Sequence, residues 1–522
     1  MLIRNAIPVL LAAVSAACWA HGDEKLGKVS FANTCSPAVQ EDLTRAVALL
    51  HSFAFRDAEA SFQKTWTTDM QCAISGWGIA SALIGNTFAV GPNPQQAQVA
   101  KDAIARARSI PRKSEREMNF IEAVGEYYEG YPAKPHMQRM KALSDAFEAV
   151  ARRFPEDDET QIFSAVYLTA TQSLTDKTYT AALKAAAILE VQFKKHPDHP
   201  GVAHYLIHSY DFPEIAQKGM SAARSYSEIA PSAPHALHMP SHIFTRVGAW
   251  KDSAAINERS ANAAKQTREP HDQLHSMDYA VYAYLQLGQD DNARRVLREA
   301  REVKGFPPTV RAGPYALAAM PARIALERGD WKEATTLVPE DSNFPYTRTQ
   351  TWYARALGYA RSGNPDAAAP DIQEIARVAA ALKDKDNYWM TETEVQRLTT
   401  QGWVEFAKGN HAPGLEMMRT AADMEDANEK SSLTPARMLP ARELYGDMLM
   451  AANRPADALV AYEQSQTREP NRYRGLYGAA QAAAQSGNRE KARMYFSKLV
   501  EMAGNGIRAS ELPAVRQHLA SN

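Results

Sequence analysis

Cysteine is scarce in this chain, which has three in 522 residues. No two of them are spaced as Cys-x-x-Cys, which excludes the usual thiol redox motif and the cysteine-rich zinc sites. If the first one is removed with an N-terminal leader, Cys35 and Cys72 remain, and a pair in an exported chain predicts a disulfide. Such a bond contributes on the order of 3–4 kcal/mol in the chain-entropy model. Two buried free thiols are the alternative.

The chain also lacks an excess of either charge. Lys and Arg total 59 against 60 Asp and Glu, and no run of like charges occurs, so we expect neither nucleic acid nor an anionic membrane surface as a partner. It has no Gly-rich phosphate loop and no Gly-x-Ser-x-Gly motif, which leaves nucleotide chemistry and serine hydrolysis unsupported. Without alternating β-branched runs, a sheet is not expected either.

Long apolar runs are missing after the N-terminus, where residues 1–20 join one Arg to a mostly apolar stretch. This pattern predicts a secretory signal peptide that ends at Ala20, and hence an exported protein, periplasmic or secreted. A transmembrane anchor is disfavoured because the run is shorter than the ~20 residues that a span needs. A lipid anchor at Cys18 is a third interpretation, although Ser15 stands where a lipoprotein signal has an aliphatic residue.

What the sequence has in abundance is helical periodicity, with apolar residues three and four apart from Ser36 onward. This pattern predicts an all-α protein. Turns of the form Gly-x-x-x-x-Ala recur between the helical segments, because glycine permits a tight turn and alanine a close crossing. They begin at Gly288, Gly329, Gly363 and Gly487, with looser variants at Gly248, Gly409 and Asn453.

These turns resemble the signature of the tetratricopeptide-repeat family. The resemblance implies a right-handed solenoid of helix-turn-helix units, here roughly seven to nine of them, with a concave groove that binds ligands or peptides. The blocks CSPAVQ, CAISGWGIA, HPGVAHYLIHSYD and APHALHMPSHIF are more narrowly similar to exported bacterial tetratricopeptide proteins without an established activity. We divide the mature chain into an N-terminal helical region with a first repeat (21–198), histidine-bearing repeats (199–300) and C-terminal repeats (301–522).

Histidines concentrate in the middle region. His204 and His208 are four residues apart, as are His238 and His242, and the second pair follows the first by 34 residues. The spacing of four places each pair on one helix face, and 34 residues is the tetratricopeptide period, so all four rings should meet on one wall. His235 and His275 fall at matching groove-facing places in the resemblance, and Asp211 lies one further turn along from His208.

Neutral imidazole is the commonest protein ligand for transition metals, and a nearby carboxylate completes a shell or orients a ring. The cluster therefore predicts a metal site, for Zn, Cu or Fe, that serves metal handling or metal-assisted chemistry on a bound ligand. The glutamate of a His-Glu-x-x-His protease motif is missing, because Tyr205 follows His204 and Met239 follows His238. A metal-free groove for a peptide or protein partner is the alternative function, and plain packing is a third interpretation.

Two more residues are expected in the groove from the resemblance. Asp278 lies one turn beyond His275, and Arg323 replaces a histidine where the Met-Pro of residues 239–240 recurs at 320–321. Arg323 could meet an anionic substrate or a carboxylate terminus there. A solvated or salt-bridged arginine is the alternative.

Overall fold

A computed structural model describes residues 24–89, 91–306 and 310–520. These residues form helices joined by turns and loops, and no strand occurs among them. The protein is therefore all-α, as the periodicity predicted. The proposed leader and Cys18 lie outside the described residues.

The first ten helices lead from the N-terminus to the histidine-bearing region. They are α1 (Gln40–His51), α2 (Phe55–Thr68), α3 (Ile74–Ile84), α4 (Pro94–Ser109), α5 (Glu115–Tyr128), α6 (His136–Arg153), α7 (Asp158–Ala170), α8 (Thr180–Lys195), α9 (Pro200–Tyr210) and α10 (Met220–Ile229). Each packs against the next, and α9 also packs against α1 and α7. The repeat that carries the first histidine pair is thus in contact with the first helix of the described residues.

Sixteen helices follow. They are α11 (Pro234–His238), α12 (Pro240–Val247), α13 (Trp250–Thr267), α14 (Pro270–Gln286), α15 (Asp290–Arg301), α16 (Ala312–Glu327), α17 (Trp331–Ala334), α18 (Pro345–Arg361), α19 (Ala369–Leu382), α20 (Asn387–Ala407), α21 (His411–Asp426), α22 (Ala441–Ala451), α23 (Pro455–Arg468), α24 (Tyr473–Gln485), α25 (Arg489–Ala503) and α26 (Leu512–Ala520). Short 3-10 helices occur at Pro37–Val39, Ala216–Gly219, Pro365–Ala368 and Gly504–Gly506.

The helices pair in the way a tetratricopeptide-like solenoid requires. With α11 and α12 taken as one broken helix, twelve successive pairs and the terminal α26 make up the described residues. This exceeds the seven to nine repeats expected, because only α1–α2 of the first five pairs has a turn that the sequence pattern could identify. The six turn glycines all have positive φ, from 64° at Gly329 to 90° at Gly409, and Asn453 shares that conformation.

The proline between the second histidine pair divides its helix. Helix α11 ends at His238 and α12 begins at Pro240, whereas Pro321 lies inside the unbroken α16. Met239 keeps helical angles, φ −54° and ψ −37°, so the two pieces remain nearly continuous. His238 and His242 consequently stay on the same side.

Cys35 and Cys72 form a disulfide across a sequence separation of 37 residues. The bond joins the segment before α1 to the turn between α2 and α3, and both cysteines are buried in the N-terminal core. That core extends from Leu26 to Ile256, so it includes the helices of the first histidine pair. The disulfide therefore restrains the part of the solenoid that supports the histidines.

The concave side of the solenoid is not an open groove. The linker between α21 and α22, residues 427–440, lies inside it, and most of its residues are buried. The backbone N–H of Glu429 donates to Leu174, 2.9 Å away, and Tyr279 Oη donates to the carbonyls of Ser432 and Thr434. We call residues 427–440 the inner linker.

Within the residues that the structure describes, no helix has both the length and the apolarity to cross a membrane.

Candidate metal centre

The first histidine group is formed by α9 and α11. One ring nitrogen each from His204, His208 and His235 lies within 4.8 Å of the other two. The Nε2 atoms of all three are buried and have no hydrogen-bond partner. Buried polar atoms are normally satisfied, so three unpaired nitrogens in one place indicate a site for a ligand or ion.

The second group is formed by α11, α12 and α14. His238, His242 and His275 again offer nitrogens within 4.8 Å of one another. The Nε2 atoms of His238 and His242 are only 3.1 Å apart. The two groups together contain the four histidines predicted to share one wall, and His235 and His275 as well.

The two groups adjoin. The His208 and His242 ring centroids are 6.1 Å apart, and those of His235 and His238 are 6.2 Å apart. These separations are no larger than the 6.5 Å between His242 and His275 within the second group. The six rings therefore form one continuous cluster, which we call the histidine chamber.

Three of the six rings are held by a hydrogen bond from Nδ1 to an oxygen atom. The Nδ1–H of His204 donates to the carbonyl of His51 over 2.7 Å, and that of His242 donates to Asp211 Oδ2 over 2.9 Å. His238 Nδ1 is 2.8 Å from Asn257 Oδ1, whose amide nitrogen is engaged by the Ser253 carbonyl and therefore faces away. In each neutral ring the proton is on Nδ1 and the lone pair on Nε2.

These tautomers determine what lies between Nε2 of His238 and Nε2 of His242, which are 3.1 Å apart. With both protons on Nδ1, the two Nε2 lone pairs face each other and no proton lies between them. Such an arrangement is repulsive unless a proton or a metal cation lies between the two nitrogens. Two nitrogens on a tetrahedral ion at about 2.0–2.1 Å are separated by about 3.3–3.4 Å, close to the spacing here.

Burial keeps the chamber neutral. It lowers the pKa of His204, His208, His235, His238 and His275 well below the ordinary value, and neighbouring imidazoles lower each further. Burial also lowers the pKa of His242, although Asp211 opposes the shift. The neutral imidazole is the form that binds metal ions.

Aromatic rings enclose the first group. Phe88 stacks on His208 at 4.0 Å, and Phe53 meets His204 edge-on at 4.4 Å. Phe53 has φ 56° at the turn between α1 and α2, where later turns of the solenoid have glycine. A non-glycine residue in this region costs about 1–2 kcal/mol, so its ring is held over the chamber at some expense in backbone energy.

Asp211 orients a ring instead of facing the space between the rings. Its carboxylate accepts from His242 Nδ1 and from Arg246 Nε, 2.8 Å away, and lies 3.7 Å from Lys430 Nζ on the inner linker. Burial opposes the shift, but Lys430 and Arg246 hold the pKa of Asp211 well below its usual range. In metal sites, a ligating histidine commonly donates from its other ring nitrogen to a carboxylate, which fixes the orientation of the ring.

Asp278 and Arg323, expected in the groove, are buried and bound to each other. Arg323 Nε donates to Asp278 Oδ1 over 3.0 Å, and both side chains are at most 1% exposed. The arginine also donates to the inner linker, at Thr434 Oγ1 and at the carbonyls of Ala436 and Arg437. The salt-bridged alternative for Arg323 describes this geometry, and the pair anchors the linker.

Sequence reasoning missed a third buried cluster beside the chamber. Glu159 on α7 lies 3.0 Å from both His51 Nε2 and His199 Nε2. His51 Nδ1 accepts from Tyr205 Oη at 3.0 Å, and His199 Nδ1 accepts from the Val202 N–H. Every nitrogen here has a partner, so the cluster is a hydrogen-bonded support for α1, whose His51 carbonyl holds His204.

Two comparisons with known proteins found nothing: no family model and no curated protein matches the chain. Among solved structures, a monomeric IFIT1 variant with m7Gppp-AAAA aligns at TM-score 0.39 and 13% identity, over 90% of this chain and 98% of that one. A monomeric IFIT1 mutant with Gppp-AAAA aligns at TM-score 0.40 and 12% identity, with the same coverage. The tetratricopeptide-like helical architecture therefore stands on the helix pairing and turns described above.

Proposed function

We propose that the protein is a metal-binding solenoid whose histidine chamber holds transition-metal ions, one in each group of three imidazoles. The observation that carries this function is the 3.1 Å contact between Nε2 of His238 and Nε2 of His242, whose Nδ1 atoms are both within hydrogen-bond distance of oxygen acceptors. The three unpaired Nε2 atoms of the first group support a second ion. Zn, Cu and Fe all accept such nitrogen ligands.

The test is metal stoichiometry on the full chain. Protein stripped with chelator and reloaded with Zn²⁺ or Cu⁺ should retain two ions after gel filtration, as counted by mass spectrometry. His208→Gln should lose one ion, His238→Gln the other, and the double variant both. His411→Ala, which removes an exposed histidine on α21, is the matched control and should retain two.

Circular dichroism must show that the variants keep their helical content. Bound metal should raise the melting temperature of the parent chain, because an ion that binds only the folded state stabilises it by mass action. A parent chain that retains no ion, or a folded double variant that retains both, would overturn the proposal.

Peptide binding is the second function that the architecture supports in general. The inner linker occupies the place that a groove-bound peptide would take, so no observation on this chain favours that function over metal binding.

Export is the natural setting for this proposal. The N-terminal pattern and the Cys35–Cys72 disulfide both fit an oxidising compartment outside the cytoplasm. N-terminal sequencing of the protein recovered from the periplasm or medium of an expressing bacterium should place the mature start at residue 21. A start at Met1 would contradict export through a cleaved signal.

A further inference from the structure

Building on the proposed function, we infer that the chamber holds a pair of copper ions that binds dioxygen between them. The metal is thereby identified as copper and its ligand as a small diatomic oxidant. Three features carry it: the composition of the donor set, the charge around it and the contact between the two groups.

The donor set consists of six imidazoles, three for each ion. The nearest carboxylate, Asp211, is already engaged by His242, Arg246 and Lys430. Imidazole suits copper as well as zinc and iron, and a shell of three neutral imidazoles adds no negative charge to the site. A shell of three neutral nitrogens is a stable environment for monovalent copper.

The surrounding charge favours monovalent ions. Arg246 and Lys430 are buried beside the second group and balance the carboxylates of Asp211 and Glu429, so no surplus negative charge compensates added cations. The desolvation cost of an ion grows with the square of its charge, so a divalent ion costs about four times as much to bury as a monovalent one. Two Cu⁺ ions thus suit the chamber better than two divalent ions without an anion.

The same charge balance determines which ligand the pair of ions can take up. When dioxygen enters between two Cu⁺ ions, each ion loses one electron and dioxygen gains two, which leaves two Cu²⁺ ions and one bound peroxide dianion. The O–O bond remains as a single bond and no proton is needed. The dianion supplies the negative charge that two divalent ions require in a buried site.

The geometry allows one molecule to meet both ions. His208 in the first group and His242 in the second have ring centroids 6.1 Å apart, so the two groups adjoin. Proteins that use two metal ions together hold them about 3.5–4 Å apart. The rings of Phe53 and Phe88 pack against the first group with apolar surface, and His204 and His208 in that group are buried.

The experiment loads the chelated full chain with two equivalents of Cu⁺ under nitrogen and then admits oxygen. We expect uptake of one dioxygen for every two coppers at an oxygen electrode, a new near-ultraviolet absorption, and no electron paramagnetic resonance signal, because the two Cu²⁺ spins couple. Evacuation should return the dioxygen and remove the absorption.

His238→Gln is the diagnostic variant. It should bind one copper, take up no dioxygen reversibly, and give the resonance signal of an isolated Cu²⁺ ion once oxidised. His411→Ala should behave like the parent.

Two results overturn the inference while the proposed function stands: two coppers that take up no dioxygen, or two coppers that oxidise to separate Cu²⁺ signals. A chain that binds no copper at the chamber but two zinc ions does the same. Retention of no metal of any kind removes both, as does a folded double variant that still retains two ions.

Discussion

At the scale of single residues, the chamber depends on contacts that begin one layer away from it. Gly201 illustrates this, because a Cβ added there would lie 2.3 Å from His51 Nδ1. His51 in turn positions α1, and its carbonyl holds the His204 proton on Nδ1. The position therefore requires glycine for reasons of space.

We expect Gly201→Ala to lower the free energy of unfolding by about 1–3 kcal/mol, the usual cost of overpacking. It should also weaken metal binding at the first group while leaving the second. Urea titration and ion counting measure the two effects. In a His51→Ala background the added methyl should cost much less, since the clashing ring is gone. Equal costs in the two backgrounds would contradict the steric account.

The buried imidazoles predict a dependence of stability on pH. Burial lowers the pKa of these imidazoles, so in the folded protein they stay neutral as the pH falls below the ordinary value of about 6.5. In the unfolded chain the same imidazoles take up protons in this pH range. Because the unfolded state binds more protons in this range, the free energy of unfolding of the metal-free protein falls as pH drops below about 6.5.

Urea midpoints of the metal-free chain at pH 7.5, 6.0 and 5.0 measure this slope. His208→Gln should flatten it, because one buried group that resists protonation is removed, whereas His411→Ala should leave it unchanged. A slope that is the same in all three proteins would show that His208 does not contribute.

The histidine pairs were predictable because spacing of four and a repeat of 34 fix which face a residue occupies, and the structure brings the six rings together. The sequence could not indicate that Asp211 and Asp278 would be engaged by Arg246 and Arg323, since these partners depend on side-chain packing between repeats. Nor could it reveal Glu159, which lies on another helix 40 residues before His199 in the chain.

At the scale of elements, the inner linker decides how the concave side is used. Arg323 on α16 holds it by three hydrogen bonds and is itself neutralised by Asp278 on α14. Lys430 brings the linker against Asp211, the residue that orients His242. The linker is therefore part of the wall of the chamber.

Arg323→Met should destabilise the protein by about 3–5 kcal/mol, because it leaves the Asp278 carboxylate buried without a partner. The double variant Asp278→Asn/Arg323→Met should recover part of that loss. Urea unfolding gives both values, and hydrogen exchange over residues 427–440 should increase in each variant. Unchanged exchange there would show that the arginine does not anchor the linker.

The linker was not predictable from the helical pattern. Its sequence, ANEKSSLTPARMLP, is polar at the start and has no periodicity that a repeat would require. Its burial comes from specific bonds to four separate parts of the chain, at Leu174, Asp211, Tyr279 and Arg323.

At the scale of the whole molecule, distant repeats are joined directly. Arg472, just before α24, is fully buried and pairs with Glu327 and Glu443, and its Nη1 donates to the hydroxyl of Tyr282 on α14. The indole of Trp250 donates to the Asn471 carbonyl over 2.6 Å. Solenoids usually contact only their neighbours and unfold in parts, but these bonds link the C-terminal repeats to the helix that carries His275.

We therefore expect a single unfolding transition, with tryptophan fluorescence and circular dichroism giving the same urea midpoint. Arg472→Met should lower that midpoint for both probes together, since Glu327 and Glu443 lose their buried partner. Arg454→Met, which removes an arginine bonded to Asp457 at the surface, is the matched control. Separate midpoints in the parent chain would contradict the coupling.

The filled interior also determines where this molecule can meet others. A superhelix normally receives its partner along the inner curve, yet here that curve is lined by the chain's own residues 427–440. Where the linker covers the inner curve, the outer, convex surface is left for docking. A macromolecule that associates with this part of the protein should therefore be sought there, with reporters placed on the outward helices.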